Sequence, residues 1–581
     1  AAIAPQTAMA PPVERSLPEQ LAEAELAQIW TAVAPNRYAF SHALLRDAAY
    51  HMQLPSRLSY LHGQTAVALE TVYAANLSPR YADLAYHWRR AKNDAKEYHY
   101  VILAGRDAEA NYANQQAVDY YSRALELLPT DQDTMRHTLN LAREHLYDLL
   151  GERERQFEDL SSMAEQLPPL GNLHQRAELA LRLSRFAEVT GDYSAVKGAV
   201  QIALSLAQQA ADPVLEANCY QQLGNIFYRL DEYKQAVLIT RRALKLAQQL
   251  EARDIEAKCL RVLASVAWKH SHFARASTFL RKALALDRAA GIRIGEGETL
   301  NKLGLVAENS HHYETAVNYY AQALAIFRMT GDRWSQSIAL GNLGYLYARV
   351  GLYELGRAHF EQDLAICREI DDRRGQCWTT GNLSLLYSRV GDFRQGWQLA
   401  LQALSLADSL KNESLRGYAL GYLGRAYTGL GQWDRATAVY QQSLAIRRKA
   451  HDQFLVLEAL ANLAYLAMLQ GDLAAAQNWL TGVLVYSQNE TIDRVEEPVR
   501  LYWICFQVLQ AAGHPDAGEI LQETFGRIQK LSAGIKSPEW REAFLNGIDV
   551  HREIILWWRD GSPVAQNSRS YGRNNTLRTP G

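Results

Sequence analysis

Residues 337–370 read SIALGNLGYLYARVGLYELGRAHFEQDLAICREI. Leu343-Gly344 is followed by Gly351-Leu352-Tyr353, then by Gly356 and Leu364, and the same marks return at steps of 40 residues in both directions. Leu223-Gly224, Leu303-Gly304 and Leu423-Gly424 repeat the pair, while Leu183, Leu263, Leu383 and Leu463 hold its register. A second ladder runs through Leu204, Leu244, Leu284, Leu324, Leu364, Leu404, Leu444 and Leu484. A fixed period of this size marks a repeat array, in which each supersecondary unit buries its apolar face against the next.

Between the ladders lies a turn, seen as Gly191-Asp192-Tyr193, Gly351-Leu352-Tyr353, Gly391-Asp392-Phe393 and Gly431-Gln432-Trp433. Glycine there supplies the left-handed conformation that ends a helix. An aromatic follows at Tyr193, Tyr233, Phe273, Tyr313, Tyr353, Phe393 and Trp433, placed to staple the next helix onto the first. Small residues at Ala236, Ala276, Ala316, Gly356, Gly396, Ala436 and Ala476 then let two helices approach closely. Each unit is helix, turn, helix.

This order resembles the tetratricopeptide (TPR) repeat over residues 98–530. The ordinary unit has about 34 residues; here the second helix runs longer, as in TAVNYYAQALAIFRMTGDR (Thr315–Arg333). This longer form resembles the repeats of receptor-associated scaffolds and of bacterial signalling ATPases. The first unit, Val101 to Pro129, keeps the ordinary spacing and a terminal Pro in YYSRALELLP. The resemblance implies an all-α, right-handed α-solenoid, a superhelix of about eleven helix-turn-helix units preceded by a small helical domain. Gly151 and Leu521 keep the phase where the outer units lose their other marks.

Five segments are expected: an Ala/Pro-rich linker over 1–20, a helical domain over 21–97, the repeat array over 98–536, a capping helix over 537–560 and a flexible tail over 561–581. Within the second, residues 38–62 read YAFSHALLRDAAYHMQLPSRLSYLH, helical by pattern with a break at Pro55. Phe40, His42, Leu44, Arg46, Asp47, Ala49 and Tyr50, then Arg57 and His62, resemble the region just after the ATPase core of bacterial STAND-type proteins linked to cyclases or transcription factors. That resemblance implies a sensor arm and an ATPase located elsewhere. The phosphate-cradling GxxxxGK[ST] loop such an ATPase needs is absent from this chain, so nucleotide hydrolysis is not assigned. His42 and His62 read as packing residues before they read as ligands or catalysts.

Composition narrows the classes further. The 581 residues carry 61 Lys+Arg against 63 Asp+Glu, a net charge of −2, without the basic excess of a nucleic-acid binder. Cys219, Cys259, Cys367, Cys377 and Cys505 form no CxxC pair, which fits packing roles in a reducing compartment. No apolar run approaches the roughly 18–20 residues of a membrane span, and the N-terminal stretch lacks a signal-peptide pattern. A cytoplasmic protein without membrane or nucleic-acid partners is expected.

No GxSxG, HExxH, EF-hand, dinucleotide GxGxxG or paired Cys/His zinc spacing occurs. The glycines of GYLGRAYTGLG (Gly421–Gly431) fall on repeat positions. His270-Ser271-His272 and His311-His312 occupy the same turn in adjacent units, a metal reading that competes with plain exposed turns. No enzyme activity, catalytic residue, cofactor or metal is expected.

In such an array the first helices line a concave face. Steps of four, three and four residues away from the Leu-Gly pair trace its stripe: Asn225 and Arg229, Trp268 and Lys269, Lys302, Asn342, Tyr345 and Arg349, Trp378, Asn382 and Arg389, Tyr422 and Arg425, Asn462 and Tyr465. Amides at one register pair with peptide N–H and C=O, cations at another add charge-assisted bonds to carboxylates, and the aromatics offer amphipathic contact area. The stripe reads as a groove for a protein or peptide partner, acidic or extended, including the chain's own upstream ATPase or effector domain. A competing use is contact between repeats, or closure of the superhelix onto itself. The chain is read as a scaffold or sensor module of a larger signalling regulator. The alternatives are the regulatory region of an ATPase, cyclase or kinase, and a sensor holding a small-molecule effector in the lumen.

Overall fold

In the computed structural model the 40-residue period becomes two 17-residue helices and two three-residue turns. The first helices include Pro213–Arg229, Arg253–Lys269, Arg293–Asn309, Arg333–Arg349, Arg373–Arg389 and Glu413–Gly429. The second helices include Tyr233–Gln249, Phe273–Ala289, Tyr353–Glu369, Phe393–Ser409 and Trp433–Lys449. The structure describes residues 16–34, 37–129, 131–167, 172–190, 193–450, 453–487 and 495–560. Among them, helices of the second unit follow one another as packed pairs from Leu173–Thr190 with Tyr193–Gln209 to Pro498–Ala511 with Ala517–Ala533, an all-α solenoid of TPR type, and Asp94–Ala110 with Asn114–Leu127 forms such a pair in the first unit. No helix of these residues is long and apolar enough to cross a membrane. The linker reading of residues 1–15 and the tail reading of 561–581 lie outside the described residues.

The left-handed residue recurs every 20 positions, and only part of the time is it glycine. Gly351, Gly391 and Gly431 take φ of 86°, 85° and 71°, but Asp231, Ser271 and His311 each take 60° at the same place in their units. Ala211, Glu251, Asp371 and Lys411 do so between units. Geometry of the turn sets the conformation, and residues with a Cβ adopt it at a cost of about 1 kcal/mol. The following first helix often starts on a cap: Asp212, Asp332, Asp372 and Asn412 accept backbone N–H groups of Leu215, Ser335, Gly375 and Leu415.

Packing inside each unit rests on volume complementarity. A Cβ added at Gly304, Gly344 or Gly424 would sit 2.5, 2.7 or 2.6 Å from the ring of Tyr320, Phe360 or Tyr440, sixteen residues on. Where the partner is smaller, as Leu280 or Leu480, the first helix carries Ala264 or Ala464 instead. The Leu-Gly pair is thus a socket for a second-helix aromatic in three units, and in the fourth Gly224 faces the buried Thr240. Ala236, Ala276, Ala316, Ala436 and Ala476 are fully buried, as close helix approach requires. The turn aromatic reaches the next unit as well, since Phe393 lies against Gly429 and the Tyr313 ring sits 5.9 Å from the Arg349 guanidinium.

The chain divides into two compact units, residues 1–139 and 140–581. In the first, Trp30–Ala34 and Arg37–Phe40 form an antiparallel hairpin with Trp30 opposite Phe40, their rings edge to face at 5.8 Å. The helical pattern read over 38–62 therefore fails at Tyr38–Phe40, where aromatics alternate with period two. Pro55 opens the helix Pro55–Val72, a position where its missing N–H is not needed. His62 is buried, bonded to the Tyr50 hydroxyl at 2.9 Å and to His87 Nδ1 at 2.8 Å. Burial pushes both imidazoles below their ordinary pKa, and His42 stands at the N-cap of Ala43–His51.

In the second unit the chain's end returns to its middle. Glu314 accepts the N–H groups of Lys536 and Ser537 at 2.7 and 3.1 Å, and Gly351 lies close against the Ala543 carbonyl. Residues 537–560, read as one capping helix, are Pro538–Glu542, a π-helical turn Ala543–Gly547 and Asp549–Asp560. Ile548 is extended between them, and His551 Nδ1 bonds the Phe544 carbonyl across the break at 2.8 Å.

Candidate functional site

The first helices lie side by side, so residues 34–41 apart on the stripe become neighbours. Gln222 and Asn225 donate to Glu188 at 2.7 and 2.8 Å, and Arg229 stands 3.5 Å from the same carboxylate. Asn342 donates to Asn301 at 3.1 Å, Lys302 to Ser265 at 3.1 Å, and Arg349 to Glu308 at 3.5 Å. Asn462 accepts from Arg500 at 2.8 Å. Contacts between repeats, the competing use of the stripe, thus engage much of the amide and cation ladder.

The aromatic members divide. Trp378 is 43% exposed, with its ring 5.0 Å from Tyr418. Tyr345 and Tyr465 are half-buried, and Tyr465 packs on the C-terminal core. Two buried polar atoms, Trp268 Nε1 and Asn382 Oδ1, have no partner among the described residues. Lys269 is exposed at the end of its helix.

Arg389 and Arg425 meet an acidic segment of the chain itself. Arg389 donates to Glu497 at 3.0 Å across 108 residues, and Arg425 donates to the other oxygen of the same carboxylate across 72. Burial opposes ionisation of Glu497, but Arg425, Arg389 and Arg500 outweigh it and hold the carboxyl far below its usual range. Tyr422 donates to Glu496 at 3.4 Å. The Glu496 N–H donates to Glu458 at 2.6 Å, and burial together with Glu496 pushes Glu458 up to about 8. Beside this segment lies a cavity of about 370 Å³, lined by Arg349, Arg389, Glu497, Lys530, Phe544 and His551 among others. Burial pushes His551 down to about 4, so its imidazole is neutral there.

The earlier part of the stripe is different. Burial pushes Lys302 down to about 8, with Arg229 and Arg261 adding to the shift. Lys258 and Arg185 are lowered for the same first reason. Both stand on stripe registers, Lys258 three periods before Trp378 and Arg185 one period before Asn225. Sequence reasoning missed them, although the 40-residue ladder points at them; it also missed Glu188 and Glu308, three periods apart on one register, whereas Glu497 carries no such periodic signal.

All five cysteines are buried, and burial pushes Cys219, Cys259 and Cys505 up to about 12, which keeps them as thiols. Among the described residues no three His, Cys, Asp or Glu side chains gather as a metal site.

Residues 297–519 match the MalT-like TPR region. Residues 217–250 match the tetratricopeptide repeat. The chain therefore carries TPR repeats of these types. No curated protein matches it in sequence. Among solved structures, a STAND protein with a tetratricopeptide repeat sensor from Pyrococcus horikoshii is 14% identical, covering 80% of this chain and 74% of that one with a TM-score of 0.44. A Rap protein complexed with Competence and Sporulation Factor is 15% identical over 61% of this chain and 98% of that one, with a TM-score of 0.45. The apo quorum sensor NprR from B. thuringiensis is 13% identical over the same shares, also at 0.45.

Proposed function

We propose that the chain is a non-enzymatic protein-recognition module of a larger signalling regulator, whose inner stripe holds an acidic, non-helical segment of a protein partner. One observation carries the reading: the stripe already binds such a segment from its own chain, with Glu497 between Arg389 and Arg425. Two guanidinium groups from consecutive repeats bracket one carboxylate, a charge-assisted arrangement that needs no particular neighbouring side chain. The partner is a separate protein or an upstream domain of the same regulator.

A photo-crosslinking residue at Trp378, on the inner stripe, tests this against the same residue at Leu238, exposed on a second helix. In the source cell the Trp378 probe forms a discrete protein adduct and the Leu238 probe does not. Equal adducts from both, or none from Trp378, contradict the reading.

The 370 Å³ cavity favours a second use, an effector of drug size held in the lumen. A thermal-shift screen of soluble metabolites checks it, since a ligand of the native state raises apparent stability. Absence of any shift from compounds that fit the cavity removes this second use.

A further inference from the structure

The stripe follows a rule wherever its cations are satisfied: a carboxylate sits between consecutive repeats. Glu188 serves Gln222, Asn225 and Arg229; Glu308 serves Arg349; Glu497 serves Arg389 and Arg425. The rule lapses at three cations of the earlier repeats. Arg185 makes no hydrogen bond or ion pair among the described residues. Lys302 has only the Ser265 hydroxyl, at 3.1 Å. Lys258 has only Asp254, one turn back on its own helix at 3.5 Å.

Neighbouring acids are already engaged. Arg182 takes Glu144 and Glu178, Arg229 takes Glu188, and Arg261 takes Asp287 and Glu298 at 2.9 and 3.0 Å. Partly buried cations with no carboxylate paired to them from a neighbouring repeat are costly to the fold, and burial lowers all three although nearby carboxylates, Glu188 and Glu298 among them, act in the opposite sense. Such a cost is retained where a ligand later supplies the charge.

We infer that the partner's acidic segment seats its carboxylates on Arg185, Lys258 and Lys302, in the first half of the array. It does not seat on Arg349, Arg389 and Arg425, which the chain's own acids occupy. The inference rests on the protein-recognition reading above and places the partner within it. The occupant is an acidic peptide segment and not nucleic acid, because the cations of this stretch are interspersed with acids, Glu188 and Glu298 among them, in a chain of net charge −2. Its stereochemistry is the one Glu497 displays.

The test uses the full chain and a fluorescein-labelled decaglutamate, followed by anisotropy with decalysine as the control peptide. The triple variant Arg185→Gln/Lys258→Gln/Lys302→Gln weakens decaglutamate binding by about tenfold or more. The variant Lys234→Gln/Arg241→Gln/Lys245→Gln, equal in charge change on an exposed second helix, stays within about twofold. If the first triple variant does not fold, Lys302→Met alone serves, with a loss of about threefold expected. A second readout is pH: wild-type affinity falls between pH 7 and 9 as Lys302 loses its proton, and the fall is absent in Lys302→Arg. The charged groups facing Lys302 are Arg229, Arg261, Glu188 and Glu298. Equal binding by wild type and triple variant, equal loss in the surface variant, or no decaglutamate binding at all overturns the inference. A Trp378 adduct that persists with no decaglutamate binding overturns the inference alone and leaves the recognition reading standing.

Discussion

The repeats before Asn309 and those after it use the same helix registers in opposite ways. In the later repeats Arg349 is raised by Tyr313 and Glu308 and Arg389 by Glu497, each against the pull of burial, whereas burial lowers Arg425 in spite of Glu497. In the earlier repeats Arg185, Lys258 and Lys302 are lowered, first by burial and then by one another's neighbours. A repeat array gives each register the same place, but the returning C-terminal segment supplies its acids to one half only. In the later half Glu308 and Glu497 pair the inner cations, whereas Arg185, Lys258 and Lys302 in the earlier half have no carboxylate paired to them from a neighbouring repeat.

The largest expected effect breaks the filled half. Glu497→Gln leaves Arg389 and Arg425 buried without their counter-charge and costs about 3 kcal/mol, measured by urea unfolding. Lys302→Met in the other half is neutral or stabilising; a loss as large as that of Glu497→Gln would erase the contrast. Charge reversal at Arg349 and Arg389 belongs with Glu497→Gln, since it opposes Glu308 and Glu497 and lowers the melting temperature.

Next comes Gly344→Ala. Its new Cβ would stand 2.7 Å from Phe360, and overpacking of that kind costs about 2 kcal/mol. Gly291→Ala places its Cβ in open space but at φ 69°, so its cost of about 1 kcal/mol is backbone strain alone. A calorimetric melt of both separates socket from turn.

The two halves also differ in pH dependence. Glu458, raised to about 8, keeps its proton in the fold while the unfolded carboxyl ionises near about 4.3. The later half therefore loses stability as pH rises from about 4.3 towards 8. Glu497, held low, acts oppositely: its contribution is present above about 4.3 and lost as pH falls below it. Lys302, lowered to about 8, is neutral in the fold while the unfolded amine stays charged to about 10.4. The earlier half therefore gains stability from pH 8 to about 10.4. Hydrogen exchange of helices Arg293–Asn309 and Glu413–Gly429 across pH follows each half separately; parallel profiles would contradict the contrast.

The smallest effect sharpens the turn. Ser271→Gly relieves a left-handed residue at φ 60° and stabilises by about 1 kcal/mol or less, visible as a small rise in melting temperature.

The array was legible in sequence because the 40-residue period repeats every packing constraint many times. Leu343-Gly344, Gly351 and Gly356 each have counterparts several units away, so noise in one repeat is corrected by the others. Features that occur once escaped it. The hairpin at Trp30–Phe40 is a period-two stretch too short to stand out beside helical neighbours, and the π-helical break at Ala543–Gly547 depends on docking against Gly351. The fate of Arg389 and Arg425 depended on Glu497, 108 and 72 residues away in sequence, and no local pattern specifies where a superhelix returns upon itself. Arg185 and Lys258 were within reach, because the registers of Asn225 and Trp378 lead to them.

Hydrogen exchange of the full chain with and without decaglutamate tests the division most directly. Protection is predicted in Leu173–Thr190, Arg253–Lys269 and Arg293–Asn309, which carry Arg185, Lys258 and Lys302, with Arg373–Arg389, Glu413–Gly429 and residues 495–498 unchanged. Protection of Arg373–Arg389 and Glu413–Gly429, with exposure of residues 495–498, would show the peptide displacing Glu497 and would contradict it.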